Sequence, residues 1–194
     1  SYTAPFVERL LREGIDVGWV GGVSAGASHV VNYLSRDIQR SINSFTDFIA
    51  QPNSSGWRPM LRGRGYFDAE YIYEDAGLPD GAMPLDYETF KNNPTPYRIS
   101  AVRADTGETI NWGPDDIPDL PTLMKYTRAS STIPGVMRMP YIDGVPFVDG
   151  ALGSSGGIPI NAAEADGFKK FLIVLTRPKG FRRTAPKRPQ LLRQ

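Results

Sequence analysis

The chain has 194 residues, no cysteine and one histidine, which excludes disulfides, thiol catalysis, thiolate metal sites and a multi-histidine metal centre. At 40% hydrophobic and 22% charged residues with a net charge of +1, it reads as an ordinary globular domain with no global pull toward nucleic acid. No apolar run approaches the roughly 18 residues of a membrane-spanning helix, and no charged-then-apolar leader opens the chain. A reducing, cytoplasmic location is therefore the expectation, and oligomeric state is left open.

Residues 1–13 predict an amphipathic helix, with Phe6 and Leu10 and more loosely Val7 and Leu11 at helical spacing, stopped by Gly14. Residues 15–22 predict a strand that runs into Gly21-Gly22-Val23-Ser24-Ala25-Gly26. A helix follows from Ala25 through Val30, Val31, Leu34 and Ile38, extending more weakly to Phe45 and Phe48. Residues 52–56 form a polar turn. Between Trp57 and Phe67, aromatic residues alternate with Arg58, Arg62 and Arg64. Such a stretch suits a lipid phosphate and a membrane interface, but a solvated loop with arginines paired to Asp68, Glu70 or Glu74 is the favoured reading.

Residues 68–93 predict one or two short helices. Residues 97–104 predict a strand, turning at Asp105-Thr106-Gly107 into a second strand that ends near Trp112. After a proline-rich link at 113–121 comes a helix over 123–131, then a hairpin over 137–148 turning at Asp143-Gly144. A short helix is expected at 160–166, and Phe171 to Leu175 is the best buried-strand candidate. The basic stretch at 179–194 reads as a tail or the start of a further segment. Strands alternating with helices predict an α/β domain over residues 1–178 with a mainly parallel sheet.

The chemistry centres on Ser24. A serine between strand and helix sits on a tight turn, with Gly22 and Gly26 removing Cβ atoms where the two elements pass closely. Its hydroxyl then stands clear of the sheet, beside the free N–H groups that begin the helix. The same residues also fit a plain glycine turn with Ser24 as helix cap. The only histidine, His29, lies five residues on along the same helix and points away, so it reads as structural and a Ser-His-Asp triad is not expected within the chain. Asp149, at a predicted strand end before Gly150, is the remaining base candidate, although from the residues alone a turn aspartate that fixes Gly150 is the favoured reading.

Gly22-Val23-Ser24-Ala25-Gly26 together with Asp149-Gly150-Ala151 resembles the patatin-like phospholipase family, and the chain is closest to bacterial members. The segment Ala129-Ser130-Ser131-Thr132-Ile133-Pro134-Gly135 resembles the approach to that family's aspartate, and Ile158-Pro159-Ile160 is similar to the family's residues just after it. The resemblance implies a three-layer α/β fold with helices flanking a mainly parallel sheet. It also implies Ser24 as nucleophile on a strand-turn-helix elbow and Asp149 as its base, with no metal or other cofactor. The implied activity is phospholipase A or lysophospholipase type cleavage of acyl esters through an acyl-enzyme. The implied partner is a lipid or acyl-ester substrate, with transient contact at a membrane surface.

The family's G-G-G-x-R-G stretch supplies oxyanion N–H donors; residues from Ser1 resemble the helix after it, so that stretch and the first strand are expected to lie outside this sequence. Within the sequence the Ala25 N–H is the remaining oxyanion candidate. Two alternatives accompany the leading reading: a non-catalytic lipid-binding or scaffolding protein on the same fold, and a conventional α/β-hydrolase whose histidine lies elsewhere.

Overall fold

Pro5 in the first turn and Gly14 just past the end frame the first helix of the chain, α1 (Ala4–Arg12), in a computed structural model that describes residues 3–46, 48, 51, 53–177 and 180–182. The elements that come next are β1 (Val20–Val23), α2 (Ala25–Leu34), α3 (Ile38–Asn43), α4 (Trp57–Leu61) and, after a π-helical turn at Glu70–Glu74, α5 (Tyr87–Lys91). Then come β2 (Tyr97–Arg103), β3 (Thr109–Trp112), α6 (Leu120–Ser131), β4 (Tyr141–Ile142), β5 (Val145–Asp149) and α7 (Ile160–Ala165).

β2 is the hub of the sheet. β1 runs parallel to it from Val20↔Tyr97 to Val23↔Ser100, and β3 runs antiparallel along residues 99–102. β5 pairs antiparallel with the far part of β2, Ala101↔Asp149 to Arg103↔Phe147, and β4 adds a short antiparallel strand beyond it. A strand has two edges. Because β3 covers one of them across 99–102, β1 and β5 share the other, end to end.

The sheet is thus mixed, not mainly parallel: among the described residues one pairing is parallel and three are antiparallel. The reason lies in the connections. Residues 97–112 and 141–149 turn back through short hairpins, which impose antiparallel pairing of β2 with β3 and of β4 with β5. The long connections, from β1 to β2 and through α6 to β5, allow either direction, and of these two only β1 meets β2 in parallel. The turn at Asp143-Gly144 has both residues at positive φ (51° and 82°), the geometry of a two-residue hairpin loop.

The core lies between the sheet and helices α2 and α6. Ala27, Leu34, Ile99, Ala101, Leu123 and Ala129 are wholly buried there. α2 and α3 are separate helices, although the apolar spacing predicts one continuous helix. Arg36 takes a left-handed conformation (φ 57°), and the Asp37 carboxylate caps the new helix by accepting from the Arg40 N–H at 2.8 Å. The strand expected at 171–175 is absent: these residues are irregular and exposed, Leu172 by 71%. Five apolar residues make a strand only when a neighbour takes up their N–H and C=O groups, and no described strand lies alongside them.

Candidate functional site

The strand register brings two chain ends together. β1 points its last residue, Val23, at Ser100, and β5 points its last residue, Asp149, at Ala101 from the opposite direction. Ser24 and Asp149, 125 positions apart in sequence, therefore flank the same joint. The spacing is tight enough that a Cβ on Gly150 would come within 2.4 Å of the Ser100 carbonyl oxygen and 2.8 Å of Val23 Cγ1. Glycine at 150 is required by this approach.

Ser24 occupies the single position between β1 and α2, with φ 57° and ψ −124°. Such a backbone is strained for a residue with a Cβ and persists only when its surroundings hold it. Gly22 makes the turn sterically feasible, since a Cβ there would lie 2.2 Å from the Gly26 carbonyl group. Gly26 behaves differently from expectation: a Cβ at that position meets nothing within 4 Å, so packing does not demand glycine there.

The end of α6 holds the turn. The Ser24 N–H donates to Ser130 Oγ (2.9 Å), and the same hydroxyl donates to the Ser100 carbonyl (2.7 Å), tying the turn to β2. The Asp149 N–H donates to the Thr132 carbonyl at 2.8 Å. Both candidate residues are thereby pinned to the end of α6, at Ser130 and Thr132, which are wholly buried. Sequence reasoning assigned these residues no role. The signal was a run of hydroxyl residues at the end of an otherwise apolar-faced helix, where each hydroxyl needs a partner if buried.

Asp149 is 7% exposed and its Oδ1 accepts from the Ala151 N–H at 2.8 Å, so the turn-aspartate geometry is present. Its other oxygen makes no hydrogen bond among the described residues, and none joins it to the Ser24 hydroxyl. The N–H groups of Ala25 and Gly26, in the first turn of α2, likewise donate to no described residue, as expected where a helix begins. Ser24's own N–H is taken by Ser130.

Tyr73, in the π-helical turn, borders the same region. Burial raises its phenol above the usual range, and the Asp149 charge acts in the same direction while the Ser131 hydroxyl opposes it. That turn is fastened to α6 by buried Arg128, which pairs with Glu70 (3.3 Å) and Glu74 (2.5 Å). A cavity of about 40 Å³ lies between Ser28, Val31, Tyr73, Met124 and Thr127, room for a few water molecules at most and too small for a fatty chain.

His29 takes no part in the joint. It is 4% exposed and stacks on Phe45 with ring centroids 4.3 Å apart, and burial lowers its pKa from 6.5 to about 4. No helix among the described residues is long and apolar enough to cross a membrane. Compared with known proteins, residues 1–163 match the family model described as patatin-like phospholipase. No curated protein matches the chain.

Proposed function

The chain belongs to the patatin-like phospholipase family, and we propose that it acts as a serine-dependent lipid acyl hydrolase of the phospholipase A or lysophospholipase type. Ser24 is the nucleophile and Asp149 its base. The observation that carries the reading is the head-on meeting of β1 and β5 beside Ser100 and Ala101, which leaves an alcohol and a carboxylate at one joint.

In this reading Ser24 Oγ forms a bond to the ester carbonyl carbon as its proton passes to the free Asp149 oxygen. The carbonyl π electrons move onto oxygen, where the Ala25 N–H and the positive end of α2 oppose the growing charge. The tetrahedral intermediate collapses, the C–O bond to the alcohol breaks, and the alcohol leaves with the proton from Asp149. Water then repeats the sequence on the acyl-enzyme. A carboxylate of reference pKa about 3.9 is a weak base toward an alcohol, so proton transfer has to accompany attack. Substrate binding closes the distance between the two groups, as catalytic hydrogen bonds commonly tighten only in the complex. A lipid substrate brings the protein into transient contact with a membrane surface.

Hydrolysis of a lysophospholipid or a short p-nitrophenyl ester tests the assignment. Ser24→Ala and Asp149→Asn should each lower kcat on the order of 10⁴-fold or more, with melting temperature preserved. Retained turnover in either variant removes that residue from the mechanism. The missing Ser24–Asp149 hydrogen bond favours one competing reading, a lipid-binding protein without turnover. That reading predicts no hydrolysis by the wild type.

A further inference from the structure

Helix α4 presents an unusual surface. Of its five residues only Pro59 is buried, while Trp57 is 73%, Met60 51% and Leu61 86% exposed. Positions three and four apart share a helix face, so Trp57, Met60 and Leu61 stand together. Tyr66, 47% exposed, comes five residues after Leu61. Exposed apolar residues are normally scattered singly, and large side chains gathered on one short stretch mark an interaction surface.

The exposed run at 171–175 is apolar throughout and bordered by Lys169 and Lys170, but it has no tryptophan or tyrosine, whereas the α4 face combines Trp57 and Tyr66 with arginines. Arg58 and Arg62 flank the Trp57–Leu61 face and make no ion pair among the described residues. Arg64 does pair with Asp68, at 3.1 Å. The expected neutralisation by neighbouring carboxylates thus holds for one arginine of three. Guanidinium groups without carboxylate partners suit phosphate, and tryptophan and tyrosine between them suit the headgroup depth of a bilayer.

The surface is also coupled to the joint at Ser24 and Asp149. The Tyr66 N–H donates to the Val136 carbonyl (2.9 Å), and Gly65 bridges Met137. That segment begins at Ile133, itself 46% exposed, directly after the Thr132 carbonyl that accepts from Asp149. Leu152, 59% exposed, comes after the Asp149 turn on the other side.

We propose that Trp57, Met60, Leu61 and Tyr66, with Arg58 and Arg62, form a docking surface for an anionic lipid bilayer. The apolar side chains enter the headgroup boundary and the arginines hold lipid phosphates. The geometry does not depend on catalysis by Ser24, so the two readings fail separately.

Co-sedimentation of the full chain with phosphatidylcholine vesicles, with and without phosphatidylglycerol, tests this. Wild-type protein should bind the anionic vesicles preferentially, less so in high salt. Arg58→Gln and Arg62→Gln should each weaken that binding roughly five-fold. Trp57→Ser combined with Leu61→Ser should weaken it about ten-fold or more, while leaving hydrolysis of a soluble short ester at the wild-type rate. Leu172→Ser, on the exposed run at 171–175 outside the proposed surface, should bind as wild type does. No wild-type binding to either vesicle, equal binding by the double serine variant, or an anionic preference that survives both arginine changes would each overturn the proposal. Vesicle binding without ester hydrolysis would uphold docking and refute the hydrolase reading.

Discussion

The joint between β1 and β5 and the face of α4 are built on opposite principles. At the joint the residues are small, backbone atoms nearly touch, and buried hydroxyls from α6 fix both chain ends. On α4 the apolar side chains other than Pro59 are large and exposed. A site that must align two reacting atoms needs backbone held to fractions of an ångström. A surface that meets a fluid bilayer needs area and charge, and is better served by side chains free to move. The contrast separates two requirements of one proposed activity, alignment and docking, and assigns them to different parts of the chain.

Breaking the close approach should produce the largest change. Gly22→Ala drives a methyl group to 2.2 Å from the Gly26 backbone, and should destabilise the fold by about 3 kcal/mol or more. Gly26→Ala meets open space and replaces a helical glycine, so it should stabilise by up to about 1 kcal/mol. Urea unfolding of the two variants would show opposite signs; equal destabilisation would mean that the turn is not packed as described.

Next in size is a pH effect from inside α2. His29 is held neutral by burial, with a pKa of about 4 in the folded chain against 6.5 for an ordinary histidine. Between those values the unfolded chain binds the extra proton and the folded chain does not, so stability is fully present above 6.5 and declines as pH falls toward 4. The loss amounts to about 3 kcal/mol. His29→Phe should flatten the midpoint-versus-pH curve across that window. An unchanged slope would place the titration elsewhere.

Ser130→Ala leaves the Ser24 N–H without its acceptor and the Ser100 carbonyl without its donor, and should cost about 1–3 kcal/mol. If the contact positions Ser24 for attack, kcat falls more than KM rises. A stability loss with unaltered kinetics would reduce Ser130 to a structural tie. The smallest effect belongs to the docking face: Trp57→Ser with Leu61→Ser should shift stability in solution within about 0.5 kcal/mol.

Local pattern carried much of the fold. The spacing of Phe6 and Leu10, with Val7 and Leu11 more loosely, located α1, the turn residues at 105–107 and 143–144 located both hairpins, and the glycines around Ser24 located the change from strand to helix. These features depend on a few neighbouring residues. The expectations that failed depend on partners remote in sequence. The direction of the sheet is set by which strands meet, the exposed run at 171–175 has strand composition but no described neighbour, and the break at Arg36 turns on a single left-handed residue inside an apolar pattern. The placement of Ser24 and Asp149 at strand ends could be read directly. The hydroxyl of Ser130 and the carbonyl of Thr132 could not, because nothing in their composition says which distant N–H they meet.

Reaction of the full chain with a fluorophosphonate probe, followed by peptide mass spectrometry, asks whether Ser24 is an activated nucleophile that depends on Asp149. Only an activated serine in an accessible site attacks such phosphorus. A single rapid adduct on Ser24 is expected, slowed on the order of 100-fold or more in Asp149→Asn. An unlabelled Ser24, or labelling indifferent to the loss of the Asp149 carboxylate, would contradict it.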